Sequence, residues 1–155
     1  MPTANSRNNE ALRTISWLGF LTGTLDAIAA IVLSPGTSPA IIFKFIASGY
    51  FGKSAFNGGA EMVVAGVIFH YLIAYLFTVF FYLLYPLSYS IIKNKYVVAV
   101  IYGGITWLVM NMLLIPFTPI GAFPVKAINV ITGVSALIIC IGLPVALVAD
   151  RKTSR

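Results

Sequence analysis

The chain has very little acid. Its 155 residues hold four carboxylates, Glu10, Asp26, Glu61 and Asp150, with one cysteine and one histidine. Charged residues of both signs make up 9% of the chain, against 59% that are hydrophobic. A soluble domain covers its surface with about 25% charged residues, so this composition excludes an ordinary water-soluble fold. The lone Cys140 excludes an internal disulfide and offers no second thiol for a metal site. The net charge of +6 comes from basic residues in short segments between apolar blocks, so nucleic acid is not an expected partner.

What is present is a series of long apolar runs. They are continuous and do not alternate every second residue, which points to spanning helices and not to a barrel. The expected fold class is an all-α membrane protein, a four-helix transmembrane bundle forming one domain over residues 1–155. The spans are read at about 14–33, 59–84, 96–115 and 127–149. Each is long enough for a hydrocarbon core of roughly 30 Å at about 1.5 Å per residue. Ala27-Ile28-Ala29 has the form of a signal-peptide cleavage site. However, Asp26 interrupts that reading and apolar residues continue to Leu33, so the first segment is expected to stay as a span.

Basic residues set the expected orientation. Arg7, Arg13, Lys93, Lys95, Arg151, Lys152 and Arg155 fall on one side, and Lys44, Lys53 and Lys126 on the other. The excess places both termini in the cytoplasm. Tyr82, Tyr85, Tyr89 and Tyr96 cluster near that side and read as an interfacial aromatic belt.

Between the first two spans, Ser34-Pro35-Gly36-Thr37-Ser38-Pro39 ends one helix and starts another, with Ser38 as N-cap and Pro39 as first helical residue. The segment 39–56 is too short and too interrupted by Gly49 and Gly52 to span, so it reads as an interfacial or re-entrant helix. Pro116, Pro119, Gly121 and Pro124 break the connection between the third and fourth spans in a similar way.

Asp26 is the anomaly, because a carboxylate at bilayer depth needs a partner, a water-filled cavity or a proton. Glu10 and Asp150 read as charges in polar tails. Counting from the span ends puts Asp26 about 12 Å, His70 about 13 Å and Asn111 about 7 Å below the outer surface. Asn129 and Thr132 enter from that same side. The expected polar site is therefore Asp26 and His70, supported by Asn111, Glu61 and Asn129. An Asp26–His70 pair is its sharpest form, able to bind a proton, a cation or a polar ligand. Glu61 is shallow and also reads as an interface acid meeting water, Lys44 or Lys53. Gly19 and Gly23 have the spacing of a close helix contact. Gly19…Asp26 and Gly104…Asn111 share a seven-residue spacing, which hints at two related helix pairs.

Gly66-Val-Ile-Phe-His70, Tyr102-Gly103-Gly104-Ile-Thr-Trp107-Leu-Val-Met110 with Pro116, and the proline-led 39–52 segment resemble small four-span bacterial inner-membrane proteins of the YagU-like kind. The resemblance covers most of residues 15–149 and implies an architecture and a location, without an established activity. Related proteins carry a polar or histidine residue in the last span. Here that span offers Asn129, Thr132 and Ser135, so no two-histidine metal or haem site is expected, and no cofactor. His70 with Met110 or Met112 is the alternative haem ligation. Catalysis is not expected either, since Ser48, Ser54 and Thr106 have no spacing that recruits His70. The expected function is binding or translocation of a small polar solute or proton. The alternative is a non-transporting accessory or assembly subunit. The bilayer is the expected partner, with a homodimer or a larger membrane complex beyond it.

Overall fold

The computed structural model describes residues 4–121 and 126–153; Pro124 and Arg155, used above, lie outside them. The described residues are helical throughout their regular structure, without a strand. The elements are α1 (Ala4–Val32), α2 (Pro39–Phe51), α3 (Ala60–Ile92), α4 (Lys95–Leu108), α5 (Ala127–Leu137) and α6 (Leu143–Thr153). Four helical segments are long and apolar enough to cross a membrane: Asn9–Val32, Ala60–Ile92, Lys95–Phe117 and Ala127–Arg151.

Two of these spans contain a widened π-helical turn, Val109–Leu114 in the third and Ile138–Gly142 in the fourth. Each turn ends two residues before a proline, Pro116 and Pro144. A proline ring collides with the carbonyl four residues back in a regular α-helix, and a wider turn relieves that collision. The chain therefore continues helically through positions that would otherwise kink sharply. Pro86 is carried in the last two turns of α3. This helix runs two turns beyond the expected end at Leu84, because water at a helix end can satisfy the carbonyl that proline leaves unpaired. It stops at Lys93, whose backbone is left-handed (φ 55°) and whose N–H reaches the Tyr89 carbonyl at 2.8 Å. Asn94 then caps α4, its Oδ1 accepting from Tyr96 N at 3.0 Å and Val97 N at 3.3 Å.

Small residues bring the spans together. In α1, Gly19 receives the Tyr75 ring and Gly23 the Tyr71 ring of α3. Rising numbers on one helix meet falling numbers on the other, so the two are antiparallel. In α4, Ala99 and Gly103 meet Gly142 and Ile138 of the fourth span, and Gly133 makes room for the Trp107 indole. The core beneath is formed by Leu18, Phe81, Tyr85, Val98, Ala99, Tyr102, Ile141, Val145, Ala146 and Ala149. It occupies the half of the bundle nearer the termini. Gly104 lies against open space, so it is not the structural counterpart of Gly19, and the two helix pairs are not equivalent there.

The expected tyrosine belt divides. Tyr96 is exposed, but Tyr85 is fully buried, stacks against Tyr89, and donates to Asp150 Oδ1 at 3.2 Å. Asp150 is no free tail charge. It lies on α6 and forms a 2.8 Å ion pair with Lys95, tying α3, α4 and α6 together at this end.

At the other end α2 crosses α3 instead of running beside it. Ser38 caps it as expected, accepting from Ile41 N at 3.4 Å. Phe43, in its first half, meets Gly66 and the edge of His70, while Phe51, in its last turn, still stacks on Phe69. Lys44 reaches the Gly58 carbonyl at 2.6 Å and holds α2 to the start of α3. Ala47 and Ser48 are buried beneath it. The crossing depends on Gly66, because any side chain there would strike the Phe43 backbone. Gly66→Ala is expected to lower stability by about 1–3 kcal/mol through overpacking. Gly104→Ala is expected to be neutral or slightly stabilising, since Ala favours helix by about 1 kcal/mol over Gly. Thermal denaturation of both variants in the same detergent checks this pair.

Candidate functional site

A cavity of about 450 Å³ lies between the spans in the half of the bundle that carries α2. Ser34 and Leu33 at the end of α1 and Asn129 near the start of α5 stand at its mouth. Asp26, His70 and Ala74 line it deeper, with Thr106, Asn111 and Thr132 on the opposite wall. Four of the five expected site residues, Asp26, His70, Asn111 and Asn129, therefore share one cavity. Glu61 does not. It sits in the exposed first turn of α3, where Oε1 accepts from Gly59 N at 2.6 Å and caps its own helix. A carboxylate is well placed there, since the first turn presents unpaired N–H groups.

Asp26 and His70 are close enough to interact electrostatically but make no direct ion-pair contact: among the described residues that contact is Lys95–Asp150. His70 instead places Nε2 2.8 Å from the Gly23 carbonyl, one turn below Asp26 on α1. A carbonyl only accepts, so Nε2 carries a proton and donates it to Gly23. The histidine is gripped between rings, edge-on to Phe43 and to Tyr71. Sequence spacing put Asp26 and His70 at a common depth. It could not show that a backbone carbonyl would take the imidazole proton.

Three other polar side chains follow one rule. Thr24 donates to the Phe20 carbonyl at 2.8 Å, Asn111 Nδ2 to Trp107 O at 3.0 Å, and Thr132 to Ile128 O at 2.9 Å. Each returns its proton to the preceding turn of its own helix, which costs nothing to a neighbour. What these groups then present to the cavity is acceptor capacity: the Asn111 Oδ1 and the lone pairs of Thr132. An ionised Asp26 adds only acceptors and has no proton to return to its helix. Neither lysine nor arginine lines the cavity. The space is thus acceptor-rich and suited to a cation, a proton or a group rich in N–H or O–H donors.

The cavity is closed below. Thr22 and Thr78 are fully buried and share a 2.8 Å hydrogen bond between α1 and α3. Tyr102 stacks on Phe81 at 3.8 Å and donates to the Phe77 carbonyl at 2.7 Å. These contacts separate the polar cavity from the end bearing the termini. Sequence reading did not single out Trp107 or Thr106 as site residues. Their signal is only that both lie within one turn of Asn111 or Gly103.

No group of three metal-ligating side chains occurs among the described residues. No family model matches the chain, and neither a curated protein nor a solved structure matches it. Histidine-selective ¹⁵N NMR is expected to find a proton on Nε2 of His70, and a bare Nε2 would contradict the Gly23 bond. Replacing His70 with Phe should cost about 0.5–1.5 kcal/mol, the net value of one hydrogen bond, measurable as a lower denaturation midpoint.

Proposed function

We propose that this multi-pass membrane protein binds a small cation, proton or donor-rich polar solute at Asp26, in a cavity that opens toward the outside of a bacterial inner membrane. The observation that carries this reading is the chemistry of Asp26. Thr24, Asn111 and Thr132 each give a proton to a backbone carbonyl. An ionised carboxylate in a helix interior has none, and the N–H groups around it are already used by the helix. Intramembrane acids that face a cavity mark ligand or proton pathways. The occupant would bring a positive charge or hydrogen-bond donors to the carboxylate.

The orientation in this proposal has both termini in the cytoplasm, as the excess of Arg and Lys on that side supports. Location in a bacterial inner membrane rests on the resemblance to YagU-like proteins. The packed layer of Thr22, Thr78, Phe81 and Tyr102 argues against a continuous pore. Translocation would require that layer to open, so binding is the primary activity and transport its extension.

Two measurements test this reading. Methylammonium and guanidinium are expected to raise the midpoint of thermal denaturation of the wild-type protein and to leave Asp26→Asn unaffected. An equal response of the two proteins would sink the assignment. For orientation, cysteine placed at Ser34 in a Cys140→Ala background should react with a membrane-impermeant maleimide added outside intact cells. Cysteine placed at Ser90 should not, and the reverse pattern would invert the topology.

A further inference from the structure

Beside the polar cavity lies a second, larger one of about 700 Å³. Its chemistry is the opposite. Leu72, Leu76, Phe80 and Ile105 form its outer edge, and all four are exposed on the bundle surface at spanning depth. Phe45, Gly49 and Tyr50 of α2 form its roof. From Phe69 to Phe80 it follows α3 for eleven residues, about 16 Å of helix. It is a groove open sideways to lipid, long enough to hold much of an alkyl chain.

The two cavities share a wall one side chain thick. Ile46, Ile73, Phe77, Thr106, Met110 and Ile115 line both. Two features of this wall point to a ligand that crosses it. Thr106 is 1% exposed, and its hydroxyl lies beside the Tyr102 hydroxyl. This buried polar group stands between the acceptor-rich chamber and the apolar groove. Met110 sits on the widened turn of the third span. Its unbranched thioether chain can change rotamer more freely than the branched residues around it.

We infer that the combined site takes a single-chain amphiphile with an ammonium or amine head, the head at Asp26 and the chain in the lateral groove. This deepens the reading of Asp26 as a cation site and rests on it. Charge selects the head: one carboxylate, the Asn111 and Thr132 oxygens and no lysine or arginine would repel a phosphate or carboxylate head. The groove selects the tail, because its lining is almost wholly apolar and it opens to the bilayer. The lateral opening lets the amphiphile enter from the membrane, with its chain leaving lipid only for an equally apolar surface. At the wall the Thr106 hydroxyl can accept from or donate to the head or the first polar atom of the chain.

The test uses the full-length protein in nanodiscs, with methylammonium, dodecylammonium and dodecanoate as probes. Dodecylammonium is expected to bind at least tenfold more tightly than methylammonium after subtraction of its partition into protein-free nanodiscs, and dodecanoate not to bind. Ile105→Trp, which fills the groove, should abolish the gain from the chain and leave methylammonium affinity unchanged. Asp26→Asn should abolish both ammonium affinities. A photoreactive dodecylammonium should label peptides containing Leu72–Phe80 and Ile105–Val109, even where a variant binds weakly. If methylammonium binds at Asp26 but the chain adds nothing, or labelling is spread over all four spans, the amphiphile inference is overturned and the cation site stands. If neither ammonium distinguishes wild type from Asp26→Asn, both are overturned.

Discussion

The bilayer supplies no hydrogen bonds, and the arrangement of polar groups in this protein follows from that single constraint. Each polar side chain within the spans must find its partner inside the bundle. Hydroxyls and amides do so at no cost to the packing, by donating to the carbonyl of their own preceding turn, as Thr24, Asn111 and Thr132 do. Aromatic donors reach further: Tyr75 bonds the Ser16 carbonyl at 2.6 Å and Tyr102 the Phe77 carbonyl, joining neighbouring spans. His70 likewise joins α3 to α1 through Gly23. All of these are donors meeting carbonyls. Asp26 is an acceptor among acceptors, and that mismatch gives the cavity its character.

Packing determines where such a cavity can exist. Toward the termini, Ala99, Gly103 and Gly142 let the third and fourth spans touch through their backbones, and the buried cluster around Phe81 and Tyr85 fills the centre. Toward α2 the spans are held apart. The crossing of α2 over Gly66 inserts a helix at the top of the bundle. The space left is divided by one layer of side chains into a polar chamber and an apolar groove. One face of that layer sees carboxylate and amide oxygens, while the other sees lipid-depth leucine and phenylalanine.

The opposite end shows how few charges are needed when each is placed well. Asp150 accepts from Lys95 and Tyr85, and with these two bonds it connects three helices. An acid at the edge of the membrane keeps its counter-ion within reach, whereas an acid in the middle of α1 has none on its own helix. The same residue type thus ties helices together in one place and lines a cavity in the other.

Long apolar runs, prolines and capping residues made the four spans and the short α2 legible in the sequence, because they express local backbone demands that hold whatever the neighbours are. Ser38 and Pro39 mark the start of α2 for that reason. The depth of Asp26, His70 and Asn111 was also legible, since a helix rises by a constant amount per residue. Rotation and partner choice were not. Whether His70 would meet a carboxylate or a carbonyl, whether Tyr85 would face lipid or core, and whether Glu61 would turn inward depended on how helices distant in sequence pack. Those contacts arise only when Gly23, Gly66 and Gly103 bring other helices against them. The sequence by itself determined that a carboxylate would lie within the membrane. Tertiary structure alone decided that it would line an acceptor-rich cavity beside a groove open to lipid, because only packing determines which atoms face a cavity.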